Sequence, residues 1–162
     1  VSFKLAVPNT TAIYVSELRR QLPGFTGYLD TAWIAAAQFC LAQNVNLPEA
    51  LTWADYAINA PFVGRKTFLN YSTRAQILEK LQRSAEAAQT MSEALQFPAT
   101  TALDIHQYGR QLLAAQRPTE ALQIFEFNHQ RFQGAWPTLL GLARAHAALG
   151  NQEKALDFAR RS

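Results

Sequence analysis

The chain has 162 residues, of which 49% are apolar and 17% charged, a composition that folds and that excludes the disordered class. The net charge of +3 is scattered over separate pairs (Arg19–Arg20, Arg65–Lys66, Arg160–Arg161) and is not gathered into the basic stripe of a nucleic-acid binder. No run approaches the roughly 18 apolar residues of a membrane span, and the single cysteine, Cys40, reads as a small buried hydrophobe.

At the front, Phe3, Leu5 and Val7 alternate with Ser2, Lys4 and Ala6, the period of two that marks a strand. The alternation predicts an extended segment over 1–8, the end of a β domain lying upstream. Its unpaired edge would seek a partner in that domain or in a second copy of the chain, giving a dimer. Residues 9–30 form a leading helix, capped by Asn9 or Thr10 and running to about Leu22, followed by a Pro23–Gly27 loop. Asp30 is expected to cap a helix from Thr31 to Gln43.

From there the chain repeats. The alanines of Glu86-Ala87, Glu120-Ala121 and Glu153-Lys154-Ala155 are spaced 121 − 87 = 34 and 155 − 121 = 34 residues apart. That period, with small and bulky residues at set places, is the pattern of a tetratricopeptide repeat. Counting each alanine as position twenty, units begin at Phe68, Ala102 and Trp136. Position eight, where paired helices approach most closely, holds Ala75, Gly109 and Ala143. Position twenty-four holds Met91, Phe125 and Ala159; at position seven Arg74 departs from the pattern. Polar turns at 81–84, 116–119 and 149–152 separate the helices, and Pro118 suits a first helical turn.

A divergent unit, 31–59, precedes these, with Ala50, Ala54 and Ala57 at small-residue positions. Here 87 − 50 = 37, so three extra residues fall between units, and they are expected within Asn59–Lys66, where Pro61 and Gly64 interrupt the helical pattern. The expected fold is all-α. It is a right-handed superhelical solenoid of antiparallel helix pairs over 31–162 (31–59, 68–97, 102–131, 136–162), with a short N-terminal extended segment.

A wider resemblance rests on Val1-Ser2-Phe3-Lys4-Leu5-Ala6-Val7, Ala36-Ala37-Gln38-Phe39-Cys40, Leu51-Thr52-Trp53-Ala54 and His106-Gln107-Tyr108-Gly109-Arg110-Gln111-Leu112. With Gly141-Leu142-Ala143-Arg144 these resemble exported bacterial proteins that carry a β domain of unknown function ahead of tetratricopeptide-like helices. The resemblance implies an exported or periplasmic location and supplies no catalytic residues.

Such arrays bind along the face lined by the first helix of each unit. That register places Gln76, Lys80, His106, Gln107, Arg110 and Arg144 on a polar, mildly basic strip, suited to an extended peptide or an acidic tail. The carboxylate clamp of specialised repeats is not expected, because Ser72, Gln76, Pro137 and Gly141 stand where it needs Lys, Asn or Arg. Phe62, Phe68 and Tyr71 flank the insertion as a docking patch for a partner or for the upstream domain. Trp33, Trp53 and Trp136 read as packing between helices.

An enzyme is not expected. His106, His129 and His146 lie 23 and 17 residues apart, unlike helical metal ligands, and no Gly-rich phosphate loop or nucleophile with a placed base is present. Neither a metal nor a cofactor is expected, nor a nucleic-acid partner. The expectation is a protein-interaction scaffold; the alternative is a brace for the upstream β domain, which would hold any ligand or catalytic chemistry itself.

Overall fold

A computed structural model describes residues 10–162, all helix and connection. The extended segment expected over 1–8, and the cap at Asn9, lie outside the described residues. Those described form nine α-helices and no strand. In chain order they are α1 (Thr10–Gln21), α2 (Asp30–Gln43), α3 (Leu47–Asn59), α4 (Phe68–Lys80), α5 (Ser84–Gln96), α6 (Ala102–Ala114), α7 (Pro118–Arg131), α8 (Trp136–Ala148) and α9 (Gln152–Arg161). A 3₁₀ turn, Phe25–Tyr28, sits in the loop before α2.

The 34-residue period is visible in the backbone. Helices α4, α6 and α8 start at residues 68, 102 and 136, and α5, α7 and α9 start at 84, 118 and 152. The turn inside each pair is also repeated. Gln82, Gln116 and Gly150 hold left-handed backbone (φ 60°, 60° and 79°), as Asn44 does after α2 (φ 53°). At each turn the next residue's N–H reaches back five residues: Arg83 to Leu78, Arg117 to Leu112, Asn151 to His146, Val45 to Cys40. This closure satisfies the last carbonyls of the helix.

The helix starts repeat as well. The Thr67 and Thr101 hydroxyls accept from the backbone N–H of Asn70 and Asp104, and Asp104 returns a bond to the Thr101 N–H, completing a capping box. Position 135 of the third unit holds alanine and leaves that start without a side-chain cap.

Two compact units divide the chain, one ending at Phe97 and the other spanning Pro98–Ser162. In the first, α2 packs on α3, α4 on α5, and α4 also meets α3 and α2, while α1 and the 3₁₀ turn close against α2. Its core is built from small residues on facing helices (Ala37, Cys40, Ala50, Ala54, Ala57) with Trp33, Trp53, Ile77 and Leu78 filling the space around them. The Trp33 indole N–H donates to the Gly27 carbonyl at 2.8 Å, and a Cβ at Gly27 would stand 1.9 Å from the Leu22 carbonyl oxygen. Only glycine fits there. Cys40 is fully buried, and burial raises its thiol pKa and holds it protonated.

The connection at 60–67 is the longest between pairs and carries the three extra residues expected there. It is tied down by Asn70, whose side-chain amide donates to the Asp30 carboxylate at 3.0 Å and to the Ala57 and Arg65 carbonyls at 3.1 and 2.9 Å. Asp30 therefore corrects an expectation. It lies inside α2 and not at its cap, which is Leu29, and its buried carboxylate accepts from Asn70 and faces Arg65 at 3.6 Å. A carboxylate moved out of water needs such donors, and helix capping alone would have left it exposed.

In the second unit α6 packs on α7, α7 on α8 and α8 on α9, and α6 also meets α8. Leu112, Ala121, Phe125, Leu142 and Ala145 form its core.

Candidate functional site

Arg74 breaks the apolar pattern because it is an ion-pairing position. Its Nε donates to Asp55 at 2.5 Å and its Nη1 to the Thr90 hydroxyl at 2.6 Å, bridging α4 to α3 and α5. Gln76 on the same helix is half-buried, and Lys80 is exposed in its last turn. Of the residues expected to form an aromatic docking patch, only Phe62 is fully exposed; its backbone is left-handed (φ 64°). Phe68 is half-buried. Tyr71 is buried, its ring edge-on to Phe97 at 4.7 Å. The register that put all three at the surface missed the contact of Tyr71 with Phe97, the residue that closes α5.

The remaining strip residues belong to the second unit and share α6 and α8. Arg110 and Arg144 occupy equivalent positions one period apart, and Gln107 lies one turn before Arg110. All three are exposed. Among the described residues no carboxylate pairs with Arg110 or Arg144, whereas Arg83 and Arg117 each hold a glutamate three residues on with two 2.6 Å bonds.

His106, expected on this surface, is instead 3% exposed, its Nδ1 buried without a hydrogen-bond partner. Its ring lies 5.5 Å from Phe125 and 6.4 Å from Trp136. Burial pulls its pKa below the ordinary 6.5; the Arg144 and Arg110 charges push the same way, and a hydrogen bond with the Pro137 backbone opposes them. The imidazole is therefore neutral at pH 7 and feels the charge of both guanidinium groups. Trp136, expected between helices, is 68% exposed beside it, unlike Trp33 and Trp53, which are buried as expected. Trp136 is the first residue of its helix, and its large ring stays largely in solvent.

The other two histidines do not join this cluster. His146 stacks on Phe158 at 5.5 Å between α8 and α9. His129 bonds the Thr138 hydroxyl at 3.2 Å, and because that hydroxyl already donates to the Ala135 carbonyl, the histidine must be the donor. Among the described residues no three His, Cys, Asp or Glu side chains gather as a metal site requires, and no helix is long and apolar enough to cross a membrane.

The α6–α8 face thus offers two unpaired cations, an amide at Gln107 and exposed apolar surface at Leu103 and Trp136. It presents charge-assisted donors beside an aromatic ring, with no nucleophile or proton relay among them. In comparison with known proteins, the chain matches no family model and no curated sequence.

Proposed function

We propose that the chain is a non-catalytic docking scaffold whose helix pairs stack as tetratricopeptide units do, in a right-handed solenoid of antiparallel pairs. In this reading the α6–α8 face binds an extended, acidic peptide segment of a partner protein. One observation carries the reading: Arg110 and Arg144, 34 residues apart, are both exposed, both lack a carboxylate partner and both act on the same buried imidazole. Most exposed arginines of this chain have found a glutamate or aspartate; these two keep their donors free for an incoming carboxylate. The adjoining Trp136 and Leu103 supply apolar contact for a neighbouring side chain of the peptide, the usual division between anchor and charge. The repeating helix starts and left-handed turns support the same class of fold.

The test uses fluorescent peptides with paired glutamates beside a leucine or phenylalanine. Binding should saturate and weaken with salt, and Arg110→Glu with Arg144→Glu should lower affinity by at least about tenfold, as expected from losing one or two charge-assisted bonds. Affinity unchanged by the double substitution would overturn the reading.

A further inference from the structure

The first unit contains a cleft of about 350 Å³ between α3, α4 and α5, walled by Asn59, Tyr71, Arg74, Glu86, Thr90 and Glu93. Most of its polar groups are already engaged. Arg74 bonds Asp55 and Thr90, and the Thr90 hydroxyl donates to the Glu86 carbonyl at 2.7 Å. The Glu86 carboxylate is held by Arg83. Three groups are left over, the first being the exposed Asn59 amide, which bonds nothing among the described residues. Glu93 receives one long bond, 3.3 Å, from the Gln89 amide. Tyr71 is 92% buried (8% exposed), yet its hydroxyl has no hydrogen-bond partner among the described residues.

Tyr71 lines the cleft, and its hydroxyl is reachable from solvent. It is not among the fully enclosed polar atoms, and the charges that act on it are Glu93 and Arg74, both of the cleft wall. With Asp55 balancing Arg74 and Arg83 balancing Glu86, the uncompensated charge is that of Glu93, a single negative charge. The leftover groups are therefore the Glu93 carboxylate and the Tyr71 hydroxyl oxygen, two acceptors under a net charge of −1, with the Asn59 amide adding a further acceptor and a donor.

We propose that this cleft binds a primary ammonium group, held by the Glu93 carboxylate and the Tyr71 hydroxyl. A primary ammonium carries three N–H donors on a compact point charge and no acceptor, which matches what the cleft leaves unfilled. A quaternary ammonium fits poorly, because it has no N–H to give and needs aromatic faces around it. The group would come either from a lysine side chain of a protein or from a small free amine.

Isothermal titration with two probes separates the sources: the acetylated, amidated tripeptide Gly-Lys-Gly, and n-butylamine. Tighter binding of the tripeptide assigns the cleft to a protein lysine, and tighter or equal binding of butylamine assigns it to a free amine. In either case Glu93→Gln should weaken binding by about tenfold or more and Tyr71→Phe by about fivefold, as a charged and a neutral hydrogen bond are lost. Tyr71→Phe keeps the ring against Phe97, and Glu93 is exposed, so neither change removes core packing. The trimethyl-lysine tripeptide should not bind, and Glu153→Gln, an exposed acid on α9, should change nothing. No saturable binding of either amine, or equal loss from Glu93→Gln and Glu153→Gln, would overturn the proposal.

Discussion

The Phe125 ring of α7 rests on the bare Cα of Gly109 in α6: a Cβ built on that glycine would stand 2.4 Å from Cε1 of the ring. Gly141 of α8 meets the same ring from another side, its built Cβ 2.3 Å from Cδ1. Phe125 is fully buried and centres the core of its unit. Gly109→Ala should therefore destabilise the chain by about 1–2 kcal/mol, an overpacking cost of up to about 3 kcal/mol set against roughly 1 kcal/mol of gained helix propensity. Phe125→Leu in the Gly109→Ala background should recover part of the loss. Chemical denaturation of the two variants reads both effects, and additive losses would show that ring and glycine are not coupled.

The left-handed turn positions give a prediction of opposite sign. Gln116 holds φ 60° where the equivalent residue of the next unit is Gly150 at φ 79°. A side chain in that region costs about 1 kcal/mol or more, so Gln116→Gly should stabilise by roughly 0.5–1 kcal/mol. Gly150→Ala should destabilise by a similar amount; a Cβ there would touch nothing within 4 Å, so the cost is purely conformational. Thermal melting of both variants checks the pair.

Asn70→Ala removes the donor that holds buried Asp30 and closes the 60–67 connection. The expected loss is about 2–3 kcal/mol, because a buried carboxylate and two carbonyls lose their partner together. Asn70→Asp should be worse at pH 7, since it sets two carboxylates side by side, and should recover in part as the pH falls and one of them takes a proton. A urea midpoint for Asn70→Asp that does not rise between pH 7 and pH 5 would count against this account.

His106 has a folded pKa below its ordinary value of 6.5. The unfolded chain then binds the extra proton more readily, so the stability tied to this residue is fully present above about pH 6.5 and is lost as the pH falls below it. His106→Leu should flatten that part of the stability–pH curve. Occupation of Arg110 and Arg144 by a peptide carboxylate should raise the imidazole pKa, by screening the two cations and adding a negative charge. A ring-proton NMR titration with and without acidic peptide measures it.

Where the helices begin and how they are punctuated was legible from residues alone. The 34-residue spacing of alanines placed the starts at Phe68, Ala102 and Trp136, and the polar turns fell where the backbone turns left-handed. These features are local: they follow from caps, turn residues and one-face periodicity, each set within a few residues of chain. The small residue at position eight was equally readable; in the second unit it answers a bulky residue sixteen positions later, Gly109 against Phe125.

Exposure was not readable in this way. A repeat register assigns each side chain a face by its number, but which face is covered depends on what the neighbouring helices bring. His106 and Tyr71, counted as surface, are buried, and Trp136, counted as packing, stands in solvent. Asp30 and Asn70 meet across 40 residues and Arg74 meets Asp55 across 19, contacts that no periodicity announces. The sequence by itself determined a helical repeat, its period, its turns and the two arginines one period apart. Only the tertiary structure decided that those arginines lack carboxylate partners among the described residues, that a buried, neutral histidine feels both their charges, and that a second polar cleft leaves Glu93 with one long bond and the Tyr71 hydroxyl with none there. The physical reason is that pairing and desolvation are properties of side chains brought together from distant helices, whereas helix starts and turns are properties of the chain at one place.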